Sequence, residues 1–217
     1  MPMKTVELSL WNLYKSYHGR TVLEDVTFTF APGGRYALRG ENGCGKTTLL
    51  NILAGYDEPD SGAVVSQARI AYLFQDDMVF SNLTVEENMK IKLYAGNTGR
   101  KPRVSKKDRL KEEGVVINRV LEVFGIAHLL KQKTVFLSGG ERQRLGLAQI
   151  MMSQPDVILL DEPTAKLDDQ NKDKFVHIIT TAFEGKTLIM VTHDQTVVPW
   201  GFVSLRLEGG ELRCANG

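Results

Sequence analysis

Apolar and polar residues alternate in the first third of the chain, and this alternation predicts β-strands. Two runs before residue 31 have one apolar residue in every two: Val6, Leu8 and Leu10, then Val26, Phe28 and Phe30. A period of two places these residues on one face of a strand, so each run is expected to be half buried. Short strands are also expected at 35–38, 63–65 and 69–74, and a helix is expected from Lys46 to about Ala54, closed by Gly55.

The middle of the chain changes to a helical period. Thr84 and Glu87 are spaced as a capping box, in which a hydroxyl and a carboxylate satisfy the free amides that open a helix. A later segment has an apolar helical face made of Val116, Val120, Leu121, Val123 and Phe124. Strand patterns return at 157–160, 187–192 and 203–207, with one more helical face between them, made of Phe175, Ile178, Ile179 and Ala182. We therefore expect a single domain, 1–217, in which an α/β core of about 1–75 and 154–217 carries a helical insertion of about 76–153.

Composition narrows the classes of function. Lys and Arg number 27 against 26 Asp and Glu, so charge gives no case for binding nucleic acid. The two cysteines, Cys44 and Cys214, form no disulfide framework and suit a reducing compartment, so the cytosol is expected. No apolar run approaches the roughly 18 to 20 residues of a membrane-spanning helix, and the N-terminus does not have the apolar core of a signal peptide. The chain is therefore not expected to form a path across a membrane by itself.

The most specific single motif is a glycine-rich loop between a predicted strand and a predicted helix, residues 40–47, Gly-Glu-Asn-Gly-Cys-Gly-Lys-Thr. Glycines let the backbone amides turn toward phosphate oxygens, and the following helix offers its positive N-terminus. Lys46 is expected to reach the β and γ phosphates, Thr47 to ligate magnesium, and Thr48 to bind near the α and β phosphates. A chance glycine-rich turn is the alternative. The candidate phosphate-binding residues are Gly40, Asn42, Gly43, Cys44, Gly45, Lys46, Thr47 and Thr48.

An acidic strand end follows the apolar run from Val157 to Leu160. A strand buried on both faces delivers its terminal carboxylates to the sheet edge where ligands bind. Asp161 would hold magnesium through a water, and Glu162 would orient and polarise the attacking water, a division of roles that suits phosphoryl transfer. The alternative is an acidic N-cap for a helix after Pro163.

Residues 137–141, Leu-Ser-Gly-Gly-Glu, predict a second helix start that can bind an anion. Ser138 and Glu141 are spaced as a capping box, and Gly139 and Gly140 leave backbone amides accessible. An ordinary helix cap accounts for the serine and the glutamate but not for the glycine pair. If the helical insertion separates this segment from the loop at 40–47, one ATP molecule cannot use both within one chain.

These motifs, in this order, resemble the ATP-binding cassette (ABC) ATPases that drive membrane transporters, and the match extends from about Tyr17 to His193. The resemblance implies an α/β fold: a P-loop NTPase core with a parallel sheet, an antiparallel β subdomain on the N-terminal side and a helical subdomain insertion. It also implies that two cassettes meet head to tail. Each ATP would then lie between the phosphate loop of one chain and residues 138–140 of the other.

The resemblance assigns further residues to the nucleotide. Tyr17 resembles the aromatic that stacks on adenine, although a core or surface tyrosine is equally compatible with the sequence. Gln75 resembles the glutamine that senses magnesium and water, His193 the histidine at the γ phosphate, and Asp168 the aspartate that crosses the dimer interface. A lone histidine is more often structural, but the end of a buried strand belongs to the active edge. The expected catalytic residues are Glu162, His193, Gln75 and Lys46, and the expected metal ligands are Thr47, Gln75 and Asp161.

Three departures from the family pattern concern the dimer interface and the fit to partners. Lys166 stands where a small residue is usual, and Gln149 stands where an arginine is frequent. Only nine residues separate His193 from Val203, so the helix expected there is short.

A basic run at 100–111 is interrupted by acidic residues, which favours a solvated surface over contact with anionic lipid or nucleic acid.

The function expected is that of an ATP-binding and ATP-hydrolysing subunit that uses ATP and Mg²⁺. It would pair with a second ABC ATPase subunit and power a separate transmembrane permease from the cytoplasmic face of the membrane. The alternative is a soluble cassette ATPase acting on a non-membrane partner such as the ribosome, although that branch usually carries two cassettes in one chain. A nucleotide-dependent metabolic kinase would not need the Leu-Ser-Gly-Gly segment.

Overall fold

The computed structural model describes residues 7–74, 79–96, 106–165, 167, 169–192 and 201–215. These residues form two compact units. The first unit consists of the described residues within 1–75, 155–165 and 184–217, and the second of those within 76–154 and 166–183. The phosphate loop belongs to the first unit, and residues 137–141 belong to the second.

An antiparallel sheet of three strands, ordered β2-β1-β4, opens the first unit. Strand β1 spans Leu8–Tyr17, β2 spans Arg20–Phe30 and β4 spans Ser61–Ser66. Both β1 and β2 are longer than the alternation predicts, because bulges interrupt the period of two. The pairing of β1 with β2 shifts register at Asn12, whose φ is 44°, and again at Asp25, whose φ is 49°.

A second sheet has six strands, ordered β5-β6-β7-β3-β8-β9, and all neighbours are parallel except β8 and β9. Every residue of β6 and β7 is buried, as their continuous apolar runs predict. The α/β fold class expected from the sequence is confirmed. The strands are β3 (Arg35–Arg39), β5 (Ile70–Leu73), β6 (Val157–Asp161), β7 (Thr187–Val191), β8 (Val203–Glu208) and β9 (Glu211–Cys214).

Helix α1, Lys46–Ala54, lies in the core of the first unit and has the bounds that the sequence predicts. Leu49, Leu50 and Leu53 bury one side of the helix in a cluster that includes residues from both sheets. Gly55 ends it in a left-handed conformation, with φ of 75°, and its amide bonds back to the last turn. Burial of a leucine contributes about 1.5–3 kcal/mol, so these leucines hold the start of α1 in a fixed place.

Helices make up the second unit: α2 (Val85–Gly96), α3 (Lys106–Val123), α4 (Gly139–Met152) and α5 (Asp169–Ala182). The predicted capping box opens α2, because the Glu87 amide donates to Thr84 Oγ1 (3.2 Å) and the Thr84 amide donates to Glu87 Oε2 (2.8 Å). Helix α5 belongs to this unit although it lies outside residues 76–153, the insertion expected from the sequence. Among the described residues, no helix has both the length and the apolar composition needed to cross a bilayer.

The buried face of α3 differs from the one expected. Ile117, Leu121 and Phe124 are buried, whereas Val116 and Val123 are exposed. The buried positions are spaced by four and three residues and follow one helical stripe, while Val116 and Val123 stand one residue to its side. The stripe includes Ile117, which the sequence analysis left out.

Candidate functional site

The loop at 40–47 leaves β3 and enters α1 through backbone conformations that favour glycine. Gly40 has φ of 154° and Gly45 has φ of 109°. A Cβ on Gly40 would lie 2.4 Å from the carbonyl oxygen of Leu207, and one on Gly45 would lie 2.8 Å from that of Val22. The loop backbone therefore packs directly against β8 and β2, and residues with side chains do not fit at these two positions.

The start of α1 presents donors to the loop. Its N-cap, Gly45, has no side chain with which to cap the first amides, which favours an external anion there. Lys46 is only 5% exposed, and its Nζ donates to the carbonyl oxygens of Gly40 (2.9 Å) and Glu41 (2.8 Å). A buried ammonium group and the positive end of a helix thus meet in one loop, an arrangement suited to phosphate.

Asp161, the last residue of β6, is held by two hydroxyl groups. Thr47 Oγ1 donates to its Oδ2 (3.0 Å), and the Tyr72 hydroxyl donates to the same oxygen (3.1 Å). Burial, followed by the charge of Asp161, raises the pKa of Tyr72 far above its ordinary value, so this hydroxyl stays protonated and can only donate to the carboxylate. The other oxygen, Oδ1, is buried and has no hydrogen-bond partner among the described residues. An orphaned carboxylate oxygen beside the Thr47 hydroxyl fits a hydrated magnesium ion.

Glu162 follows β6 in the left-handed region, with φ of 49°. Its amide donates to the carbonyl oxygen of Val191 (3.1 Å), which ties the residue to the end of β7. A residue other than glycine costs about 1–3 kcal/mol in this conformation and keeps it only where its surroundings impose it, often at functional sites. The backbone strain therefore supports a role for Glu162 beyond capping.

A cleft of about 550 Å³ brings most of these residues together. Val22 is the one lining residue that the sequence analysis did not single out, and its position on β2 gave no signal. Gly40 and Cys44 are part of the loop but do not line the cleft, and the Cys44 Sγ lies 3.9 Å from Lys46 Nζ. The lining residues are Tyr17, Val22, Asn42, Gly43, Gly45, Lys46, Thr47, Thr48 and Glu162.

Tyr17 lies at the rim of this cleft, 42% exposed, and is held by groups that the sequence analysis did not identify. Its hydroxyl donates a short hydrogen bond to Asp57, and this bond is the main reason why the pKa of Tyr17 is raised. Lys15 Nζ donates to Asp57 Oδ1 (2.8 Å) and lies 5.1 Å from the centroid of the Tyr17 ring. The hydrogen bond from Lys15 is in turn the main reason why the pKa of Asp57 is lowered. Asp57 and Lys15 therefore fix an aromatic ring beside the phosphate loop.

In the second unit, residues 138–141 form the predicted capping box at the start of α4. The Glu141 amide donates to Ser138 Oγ (3.3 Å), and the Ser138 amide donates to Glu141 Oε2 (2.7 Å). A Cβ on Gly139 would meet no atom within 4 Å, and one on Gly140 would meet only Leu167 Cδ2 at 3.6 Å. Packing among the described residues therefore does not require either glycine.

Several predicted residues lie outside the described residues: Gln75, Asp168 and His193, together with the departure at Lys166. Their expected roles stay predictions. The departure at Gln149 is described, and its side chain donates to the carbonyl oxygen of Asn88 (3.1 Å), joining α4 to α2. Nothing in the sequence around Tyr72 or Asp57 indicated their contacts with Asp161 and Tyr17, because these contacts depend on strand and loop neighbours distant in sequence.

Comparison with known proteins places this geometry in a family context. The family model described as "ABC transporter" matches residues 23–165. The putrescine transport ATP-binding protein PotG of Escherichia coli is 36% identical over 204 residues, which cover 87% of this chain and 51% of that protein. The chain therefore spans about half the length of this curated relative.

Two solved structures have the same fold over nearly the whole chain. CbiO1 of Clostridium perfringens, part of the ABC transporter complex cbiONQ, has a TM-score of 0.81 and 26% identity, covering 97% of this chain and 88% of that one. A dimeric ATP-binding cassette in a post-hydrolysis state, bound to ADP and Pi, has a TM-score of 0.77 and 27% identity, covering 97% and 99%.

Proposed function

Because the chain belongs to the ABC transporter family, we propose that it binds and hydrolyses ATP as the energy-coupling subunit of a transporter. Two copies, or one copy and a related subunit, would close head to tail around two ATP molecules and drive a separate membrane permease from its cytoplasmic face. The transporter subunits among the relatives support this proposal, and none of those reported above supports the ribosome-directed alternative.

The phosphate loop would bind the triphosphate. Lys46 would exchange its two carbonyl acceptors for β and γ phosphate oxygens, and the uncapped amides at the start of α1 would bind the remaining oxygens. Thr48 lines the same cleft near the expected α and β phosphates. Tyr17, held by Asp57, would offer its ring to the adenine.

Thr47 and Asp161 would hold magnesium beside these phosphates. The chemistry that magnesium supplies when bound is neutralisation of the phosphate charge during transfer. Thr47 would keep donating to Asp161 Oδ2 while its lone pair faces the ion, and Oδ1 would accept from a water on the ion. Gln75 is proposed as a further contact on the magnesium side.

Glu162 would polarise the attacking water. Glu162 lines the cleft, and its strained backbone holds it at the end of β6, next to Asp161. A carboxylate in this position would accept a proton from water as the water oxygen bonds to the γ phosphorus. The bond between the γ phosphorus and the oxygen that bridges to the β phosphate would break, so that ADP and inorganic phosphate leave. His193 is proposed to contact the same phosphate.

The glycine pair at the start of α4 is the main observation in favour of a shared site, in which each ATP contacts the phosphate loop of one chain and α4 of the other. A glycine in a helix costs roughly 0.5–1 kcal/mol relative to alanine, and no described neighbour of Gly139 would be displaced by a methyl group. The capping box uses the amides of Ser138 and Glu141, and open space in front of Gly139 suits the close approach of a phosphate carried by another chain. The dimeric state of the solved cassette supports pairing of two such chains, and Asp168 is proposed to lie at their interface.

Replacing Glu162 by glutamine tests the proposal. Glu162→Gln keeps the shape of the side chain but removes its charge, so we expect ATP binding to persist while turnover falls by about 10²-fold or more. Bound ATP would then keep the dimer closed. Phosphate release gives the rate, and size-exclusion chromatography with light scattering gives the mass with ATP and after exchange to ADP.

The matched control is Glu184→Gln, which removes an exposed carboxylate and should leave rate and mass as in the wild type. A Glu162→Gln protein that hydrolyses ATP at the wild-type rate would remove Glu162 from catalysis. An inactive variant that binds ATP yet stays monomeric would contradict the closed dimer.

A further inference from the structure

A second cleft, of about 270 Å³, opens beside the carboxyl end of β3 and the adjacent residues of β8. Arg39, Ser204 and Arg206 line it. It shares no lining residue with the cleft of about 550 Å³ in which ATP is proposed to bind, called the nucleotide cleft below. In the register of β3 and β8, Arg39 is paired with Arg206. Leu205 and Leu207 alternate with these residues and enter the apolar core, so the two arginines and the serine lie on the opposite face of the sheet.

The polar groups of this cleft have unsatisfied hydrogen-bonding capacity. Arg39 Nε and Ser204 Oγ are buried, and neither has a hydrogen-bond partner among the described residues. Arg206 is more exposed and makes an ion pair with Glu208 (3.1 Å). Buried polar atoms are nearly always paired, and a buried donor on a charged group is especially costly to leave unpaired. These atoms therefore favour an acceptor that enters the cleft.

Charge favours the same conclusion. Arg39 and Arg206 are neighbours on adjacent parallel strands, and two positive charges this close in the fold repel each other. An anion between Arg39 and Arg206 would reverse that effect, and guanidinium groups match tetrahedral oxyanions through paired N–H donors. Glu41 also lines the cleft and opposes an anion, so two arginines and one glutamate leave a lining charge of about one positive unit.

We propose that this cleft is a binding site for a phosphate-class oxyanion, separate from the nucleotide cleft. Arg39 and Arg206 would supply the charge, and the Ser204 hydroxyl a further donor. The volume lies below the roughly 300–1,000 Å³ of pockets that hold drug-sized molecules, so the ligand is inorganic phosphate or the phosphate group of a small ester.

The test must separate this cleft from the phosphate loop, so it uses the full chain carrying Lys46→Ala. Inorganic phosphate is titrated by calorimetry at constant ionic strength, with glycerol phosphate as a second arm that distinguishes a free anion from an ester. We expect saturable binding that Arg39→Gln and Ser204→Ala each weaken, the arginine change by at least about tenfold, because hydrogen bonds to charged groups are lost. Glu41→Gln should strengthen it, since an opposing charge is removed.

Arg213→Gln is the matched control. Arg213 is paired with Arg206 on β9, but it is exposed and bonded to Glu211, so its loss should not change phosphate binding. Circular dichroism and thermal melting confirm that each variant is folded, and Ser204→Ala keeps the test valid if Arg39→Gln does not fold. The proposal is overturned if phosphate does not bind saturably. It is also overturned if neither Arg39→Gln nor Ser204→Ala changes the affinity for phosphate, and the cleft would then hold only water.

Discussion

Tyr72, on β5, contacts the end of β6 where the magnesium ion is proposed to bind. Its hydroxyl and that of Thr47 donate to one oxygen of Asp161, which orients the carboxylate and leaves Oδ1 for a further ligand. The Tyr72 ring also stacks on Phe74, with the two centroids 4.0 Å apart. We therefore expect Tyr72 to act as a positioning residue, through Asp161.

Removing this hydroxyl should weaken magnesium binding while leaving the packing of the Tyr72 ring unchanged. In Tyr72→Phe the ring stack remains, but Asp161 loses one of the two donors that orient it. Groups that orient metal ligands typically contribute 10–100-fold to metal affinity, so we expect the magnesium concentration for half-maximal ATP hydrolysis to rise about tenfold or more.

A magnesium titration of ATPase activity at saturating ATP gives the half-maximal concentration, and a titration of nucleotide binding gives a second measure of magnesium affinity. Tyr56→Phe is the control, because its ring packs 6.2 Å from that of Tyr72 while the residue is 66% exposed. A Tyr72→Phe protein with an unchanged magnesium requirement contradicts the positioning role, whatever its maximal rate.

At the scale of single residues, the sequence predicts the residues that belong to contiguous motifs. It does not predict the residues that hydrogen-bond to them and hold them in place. Lys46, Thr47 and Glu162 meet in one cleft, as their motifs indicate. Tyr72 and Asp57 carry no motif of their own. Tyr72 reaches Asp161 because β5 is the neighbour of β6, a pairing that no local pattern encodes.

Among the elements, α4 has a start that is less stable than it need be. Gly139 lies in the first turn, where alanine would fit without a clash. In Gly139→Ala we expect the free energy of unfolding to rise by up to about 1 kcal/mol, because alanine favours the helix. We also expect binding of ATP to a single chain to be unchanged and hydrolysis to fall, because the methyl group occupies the space proposed for the partner's phosphate.

The control for this change is another helical glycine. Gly114 lies within α3, and a Cβ there would also meet no atom within 4 Å, so Gly114→Ala should stabilise the chain without changing hydrolysis. Urea unfolding and phosphate release measure the two effects. Equal ATPase rates for both variants and the wild type would contradict the role proposed for Gly139.

The sequence predicts elements best where local chemistry fixes their ends. Both capping boxes, at Thr84 and Ser138, and the glycine that ends α1 occur where they are expected. Strand β1 is longer than the alternating run that predicts it, since a bulge near Asn12 interrupts the alternation. The buried face of α3 is predicted in part: Leu121 and Phe124 are buried as expected, but Ile117 is buried with them while Val116 and Val123 are exposed. Tertiary packing chooses among overlapping apolar positions.

For the whole molecule, the proposed shared site makes a prediction about mixtures. Lys46→Ala removes the phosphate loop's cation, and Gly139→Asp places a negative charge at the start of α4, so each protein alone should be inactive. In a head-to-tail pair of unlike chains, one site keeps both elements intact. Random pairing should therefore restore about a quarter of the wild-type sites.

Phosphate release from equimolar mixtures measures this recovery, and differently tagged chains establish that mixed dimers form. Lys46→Ala mixed with a chain carrying both substitutions is the control, since no pair then has an intact site. Inactive mixed dimers would contradict the proposal that each site is shared.

The fold class follows from the sequence because buried apolar runs, glycine-rich turns and a helical middle region occur in a fixed order. The strand order β5-β6-β7-β3-β8-β9 cannot be predicted in this way, since it depends on crossovers between strands distant in sequence. The pairing of Arg39 with Arg206 follows from that order alone. Neither residue carried a signal in the sequence.

The hydrogen bonds of Lys46 to Gly40 and Glu41 set a threshold for every ligand of the phosphate loop. The buried ammonium group already has two acceptors, so a ligand must replace both before it gains anything from the charge. A singly charged ion with one well-placed oxygen does not compensate for that exchange. A triphosphate offers several charged oxygens together, so we expect the loop to favour a nucleoside triphosphate over a small anion before any contact with the base is made.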